Sequence, residues 1–239
     1  MARHGMARHG EAGLGKARHG EARQGKARQA IFSTEEQTMT VIENKPTDTI
    51  TRKVTLCGIK PIMFDRYAGD NSTKLEPSQK LYLAPTIASE LPVIGLPSAN
   101  IMSFLSAHNT NSAPKRLRDK RKYKDVANAC LSFADILEDF IPILRDGRPL
   151  RFGAFVDDVD KSSGAYIHRS VARLDKGIPN PKIRPVVPCP WGMIFTLKIR
   201  PNREIKEQEI MNLIVEGGLA LGLGTFRGVF GKFEVTGWE

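Results

Sequence analysis

Residues 217–235 read GGLALGLGTFRGVFGKFEV, with Gly222, Gly224, Gly228 and Gly231 set around Arg227 and Lys232 just beyond. Glycine serves where a backbone takes positive φ or must approach another group with no Cβ in the way. Successive amide N–H groups in such a loop can cradle a phosphate, and an adjacent arginine adds a bidentate contact. A helical pattern precedes this loop and a strand pattern follows it. The dinucleotide and Walker loops do the reverse: they follow a strand and open a helix. Neither nucleotide fingerprint is present. The competing explanation is a glycine-rich connection that packs tightly on a neighbouring strand.

Working outward, Glu204–Glu216 places Ile205, Ile210, Leu213 and Ile214 on one helical face, and Gly217 and Gly218 can stop that helix. Val229–Gly237 reads as a closing strand. Trp191–Ile199 is the clearest strand of all, because Phe195, Leu197 and Ile199 alternate with Thr196 and Lys198. Before it, the proline-dense segment 178–190 reads as an extended linker or sheet edge, and 150–156 with 165–174 as a hairpin around a turn rich in Asp, Lys, Ser and Gly. Thr51–Ile59 alternates as a first strand that Pro61 ends, and 65–80 is a polar loop. Leu91–Leu96 is a short extended segment, after which Pro97 and Ser98 open a helix carrying Ile101, Met102, Leu105 and Ala107. A further helical pattern runs from Val126 to Phe140 and reads as an insertion near 125–141. Without it the order is strand, helix, strands, helix, strand. That is the ferredoxin-like (RRM-like) plan, an α+β fold with helices on one face of an antiparallel sheet.

The chain has 239 residues, 41% hydrophobic and 26% charged, enough for one substantial domain with a real core. No apolar run reaches the about 18 residues of a membrane-spanning helix. Lys and Arg total 36 against 26 Asp and Glu, and the resulting +10 favours a polyanionic partner. Cys57, Cys130 and Cys189 are far apart and odd in number, so they suggest neither a disulfide framework nor a zinc site. They point to a reducing, cytoplasmic setting. No cofactor is expected.

The first 38 residues stand apart. Glycine recurs at 5, 10, 15, 20 and 25, a period that lets neither a helix nor a strand gather an apolar face. Residues 1–38 are therefore expected to be a disordered, low-complexity basic arm, translated from upstream of a start at Met39, with 39–239 as the folded domain. The arm holds seven Lys/Arg against four Glu, so the remaining body keeps +7.

Three stretches carry a resemblance to a known family: LPVIGLPSANIMSFLSAH (91–108), IHRSVARL with KIRPVVPCPWGMIFTLKI (167–199), and GLGTFRGVFGKFEV (222–235). They resemble the apolar-Pro entry to the first helix, the basic central strands, and the terminal glycine-rich loop and strand of the RAMP superfamily of CRISPR-associated proteins. The nearest group is the crRNA-binding backbone subunits and their phage-borne relatives. The resemblance implies a ferredoxin-like fold and side-by-side assembly, as a homo-oligomer or with related subunits, along a nucleic-acid strand.

The residues expected to hold that strand are mostly basic. Lys115, Arg116, Arg118, Lys120, Arg121, Lys122 and Lys124 place seven cations in ten residues, with Tyr123 among them as a base-stacking candidate. Arg169, Arg173, Arg184 and Arg227 add cations elsewhere, with Lys232 and the loop glycines beside them, and Tyr166 is a second stacking candidate. Phosphate contacts of this kind carry affinity without sequence information. The function expected is binding of single-stranded nucleic acid, RNA before DNA, without catalysis. Two alternatives stand beside it. One is a metal-independent endoribonuclease using His168 as general acid or base beside Arg169 and Arg173. The other is a viral structural or assembly protein. Asp157, Asp158 and Asp160 could hold a divalent ion, but Lys161, Ser162, Ser163 and Gly164 follow them, so they read as a turn and no metal is expected.

Overall fold

Val54, Leu56 and Gly58 are buried in alternation with more exposed neighbours, and so are Met193, Phe195, Leu197 and Ile199. These two runs become the paired centre of the principal sheet. The computed structural model describes residues 48–70, 72–84, 90–107, 111–157, 160–173, 177 and 179–239. The arm at 1–38, His108 and Asp158 lie outside the described residues. In chain order the first strands are β1 (Ile50–Gly58), β2 (Ile62–Met63), β3 (Leu83–Ala84) and β4 (Val93–Pro97), with a 3-10 turn at Pro77–Lys80 between β2 and β3. Three helices follow, α1 (Ser98–Leu105), α2 (Ala113–Leu117) and α3 (Tyr123–Phe133). Short strands β5 (Ala134–Ile136), β6 (Phe140–Pro142), β7 (Leu144–Arg145) and β8 (Arg148–Pro149) lead to β9 (Tyr166–Arg173), β10 (Pro179–Val187) and β11 (Gly192–Ile199). Helix α4 (Glu207–Ala220) and strand β12 (Phe233–Trp238) close the chain.

Among the described residues the fold is α+β, with antiparallel sheets and four helices. The principal sheet runs β12-β1-β11, with β5 against β11 and the β7–β8 hairpin joined at Gly192. Val54 faces Phe195 and Leu56 faces Met193 in register. The inward side chains of both strands join a core with Ile101, Phe104 and Leu105 of α1, Cys130 of α3, and Ile210, Leu213 and Ile214 of α4. Each such fully buried side chain contributes roughly 1.5–3 kcal/mol. Trp191 is 2% exposed and its Nε1 donates to the Lys60 carbonyl at 2.8 Å. Its indole occupies the space where Gly58 would carry a Cβ, which locks the start of β11 onto the end of β1. Two smaller sheets, β2-β10-β9 and β3-β4-β6, flank this core.

Four expectations are corrected. Helix α3 stops at Phe133, and the apolar spacing that continued to Phe140 belongs to β5 and β6: Leu197 of β11 pairs with Ile136, and Pro97 of β4 with Phe140. The hairpin partner of β9 is not 150–156 but the proline-dense segment, which forms β10 along its length from Pro179↔Arg173 to Val186↔Tyr166. β10 pairs with β2 at Val186 and Val187, and the Pro185 carbonyl accepts from Phe64 just beyond, so Pro179 and Pro181 lie where β10 has one neighbouring strand and a missing N–H is tolerated. Gly217 and Gly218 do not end α4 but sit inside it, buried. A Cβ on Gly217 would stand 2.5 Å from Phe104 Cζ and 2.9 Å from Ala113 Cβ, and one on Gly218 2.6 Å from the Phe233 carbonyl oxygen. Small residues there let α4 seat closely on α1, α2 and β12. The last strand begins at Phe233, four residues later than its pattern suggests, because the glycine-rich loop extends through Gly231.

Candidate nucleic-acid interface

The loop leaves α4 through a helix-ending turn in which Leu221 and Gly222 both donate their N–H to the Gly217 carbonyl, at 2.8 and 3.0 Å. Gly222 takes φ +86° there, as a helix terminus favours. Leu221 and Leu223 then point into the core. The loop is bound to its surroundings by backbone hydrogen bonds: Leu223 to Gly231, Thr225 to Met63 of β2, Gly231 to Pro61 and Gly228 to Leu221, between 2.6 and 2.9 Å.

This network alters the meaning of the glycines. The amides of Gly222, Gly228 and Gly231 already donate within the fold, so they form no open cradle. Gly222, Gly224 and Gly231 have φ of +86°, +77° and +72°, and a Cβ at each would overlap backbone atoms of Gly231, Met63 and Leu223 respectively. Those three are glycine for close approach to a neighbouring chain segment. Gly228, at φ +93°, has nothing within 4 Å of its Cβ position and is exposed at the tip.

Arg227 is turned inward. Its Nε donates to the Gly224 carbonyl at 3.3 Å and one terminal nitrogen to the Asn111 carbonyl at 2.9 Å, with the guanidinium 6.0 Å from the Phe104 ring centroid. Burial pulls its pKa below the ordinary value. Arg227 therefore ties the loop to the chain just ahead of α2, where the basic run begins.

In that run the structure separates one cation from six. Arg118 Nε donates to Glu209 at 2.6 Å and a terminal nitrogen to Glu216 at 3.2 Å, fastening α2 to α4. The Glu209 hydrogen bond, ahead of the opposing burial, holds its pKa above the ordinary value. Lys115, Arg116, Lys120, Arg121, Lys122 and Lys124 are all exposed, and among the described residues none has a side-chain ion pair. Tyr123 is half-buried at the start of α3.

The remaining candidates divide. Arg184 Nε donates to Asp65 at 2.6 Å, with Lys80 3.6 Å from the same carboxylate, so this arginine fastens β10 to the 65–80 loop. A groove of about 470 Å³ lies along that junction, where Asp65, Asp70 and Glu76 offset Arg66, Lys74, Lys80 and Lys182. Arg169 is exposed on β9, and Lys232 is half-buried, its carbonyl accepting from Ile59 and Lys60. Arg173 is the last residue of β9, opposite Pro179, and its side chain lies outside the described part. Tyr166 is half-buried under Lys161 Nζ, 5.4 Å from its ring centroid; burial, opposed by Lys161, pushes its hydroxyl up. His168 packs edge-on against Phe230, with 5.4 Å between ring centroids. Asp160 accepts from Ser162 Oγ at 3.0 Å within its turn, and among the described residues no group of three His, Cys, Asp or Glu is placed to hold a metal.

Sequence reasoning passed over Phe226, Val229 and Phe230. Phe226 and Val229 are 53% and 55% exposed at the tip, and Phe226 has φ +53°. The visible signal was two aromatics four residues apart among glycines.

No protein-family model matches the chain, and no curated protein matches it either. Among solved structures it is similar to a chain of the one described as "Cryo-EM structure of the Type III-B Cmr-beta bound to cognate target RNA", at TM-score 0.43 and 10% identity. The match covers 80% of this chain and 60% of that one, so this chain spans less than two thirds of the other's length.

Proposed function

We propose that this protein binds single-stranded nucleic acid, RNA before DNA, without cleaving it, as a RAMP-like subunit of ferredoxin-like build. The strand order β12-β1-β11-β5 supports that build. Helices α1–α3 lie between β1 and β5 in sequence, and α4 lies between β11 and β12, an order that agrees with the split β-α-β plan, in which the first and third strands are central. One observation carries the binding reading: six exposed cations between Lys115 and Lys124, none of which has a side-chain ion pair among the described residues, on a segment that Arg227 ties to the glycine-rich loop. Unpaired surface cations that neutralise phosphates release counterions, so affinity becomes steeply salt-dependent. Assembly side by side along the strand belongs to the same proposal.

The test is fluorescence anisotropy of a 30-mer RNA across a salt series. Four to six phosphate contacts imply a slope of log affinity on log salt of about −3 to −4, at about 0.7 per contact. The triple variant Lys120→Ala, Lys122→Ala, Lys124→Ala should flatten that slope by about 2 while leaving Tm unchanged. Arg118→Met should do the opposite. It should lower stability by about 1–2 kcal/mol, since Arg118 bonds two half-exposed carboxylates, and leave the slope alone. No binding at low salt, or a slope indifferent to the triple variant, would refute the proposal.

A further inference from the structure

The tip of the glycine-rich loop carries an arrangement that packing does not account for. Phe226 holds φ +53°, a region an aromatic residue enters only at a cost, yet its side chain is 53% exposed and so gains little from the core. The surrounding bonds maintain that conformation. Thr225 N–H donates to Met63 at 2.9 Å, Gly228 N–H to Leu221 at 2.6 Å, and Phe230 N–H back to the Phe226 carbonyl at 3.3 Å. The ring is therefore displayed on a rigid turn. Behind it the aromatic groups continue in a row: Phe226 to Phe230 at 5.9 Å between centroids with 31° between planes, then Phe230 to His168 at 5.4 Å. Phe230 and His168 are partly covered, so the outer face of Phe226, beside exposed Val229, is the open end of the row. Gly228 leaves that end clear, with nothing near its Cβ position.

We infer that this row is a base-stacking platform, with Phe226 taking an unpaired base of a strand whose phosphates lie on the basic segment. The inference rests on the proposed nucleic-acid binding and adds to it the group that grips the bases. The charge around the tip favours this occupant over an apolar protein surface. The whole chain carries +10, and Arg227, next to Phe226, ties the tip through Asn111 to the segment whose six exposed cations begin at Lys115. Rings on a preset turn give stacking without sequence preference, because every base has a π-face.

The experiment compares wild type, Phe226→Asn and Phe226→Tyr on a 30-mer RNA and on an abasic 30-mer of equal charge, with sedimentation velocity run in parallel. Asparagine tolerates positive φ, so Phe226→Asn removes the ring while keeping the turn. Wild type should prefer the base-bearing strand. Phe226→Asn should weaken binding to that strand about five- to a hundredfold, leave the abasic strand and the melting temperature unaffected, and Phe226→Tyr should stay near wild type. Equal weakening on both strands, or no weakening on either, overturns the platform while leaving the charge-based binding intact. A change in sedimentation with unaltered RNA affinity would make the tip a contact between copies, which also overturns it. Wild type that binds neither strand at low salt fails the underlying reading itself.

Discussion

Alanine at Gly231 and alanine at Gly228 should have very different consequences, although both glycines belong to the same loop and both have positive φ, +72° and +93°. At Gly228 the only penalty is conformational, because nothing lies within 4 Å of the new Cβ. A left-handed alanine costs about 1–2 kcal/mol, or roughly 2–8 °C in Tm for a domain of this size. At Gly231 the same penalty applies, and three backbone atoms of Leu223 lie within 3.0 Å of the new Cβ. A backbone cannot rotate away as a side chain can. Relief means parting the two segments, which stretches the Leu223 N–H bond to the Gly231 carbonyl at 2.9 Å and the Gly231 N–H bond to Pro61 at 2.7 Å. Overpacking of about 1–3 kcal/mol and about 1 kcal/mol for weakened hydrogen bonds bring the total to roughly 3–6 kcal/mol. That corresponds to roughly 6–24 °C. Differential scanning calorimetry of the two variants side by side is the assay. Equal drops would show that close approach is not why Gly231 is glycine. The same reasoning applies to Gly224→Val. Its Cβ would overlap the Met63 carbonyl oxygen and stand 3.1 Å from Ile62 Cγ1, so it would report on folding and not on binding.

Two further outcomes follow from titratable groups. The Arg52 hydrogen bond, with a second from Trp238 Nε1 at 2.8 Å, holds the Glu207 carboxyl below its ordinary value. Its folded pKa is thus depressed, and the stability it adds is present above the ordinary carboxylate range and lost as pH falls through the folded value. Thermal melts should show Glu207→Gln matching wild type in strong acid and falling below it toward neutrality; parallel curves at every pH would refute this. Burial, reinforced by Glu209, pushes the Cys130 thiol up to about 12. A thiol reagent at pH 8 should therefore label exposed Cys57 in the native protein and reach Cys130 only on unfolding, as peptide mass mapping would report.

The sequence alone was enough for those features whose signal is local. Period-two alternation placed β1 and β11 within a residue or two. The three- and four-residue spacing of Ile210, Leu213 and Ile214 placed the buried face of α4. The excess of positive charge, and its density between Lys115 and Lys124, is likewise a property of composition.

Tertiary structure decided whatever depends on distant partners. Ala134–Ile136 continues the helical spacing of α3, and only the edge of β11 makes it a strand. Alanine and isoleucine occur in both states, so local spacing does not arbitrate. β9 pairs with a segment dense in proline because β10 has a single neighbour over most of its length, a fact about sheet edges that no local pattern records. Within the basic run, Arg118 looks like its neighbours until α4 brings Glu209 and Glu216 to it, and Arg184 looks free until Asp65 arrives from 119 residues away. The loop glycines follow the same rule. A glycine shows that a Cβ is absent, but whether a ligand or a backbone fills that space depends on which segments approach, and at Gly222, Gly224 and Gly231 it is backbone. Periodicity is written into neighbouring residues. Proximity between segments far apart in the chain is set by packing, and it is packing that sorted the fastening cations from the exposed ones.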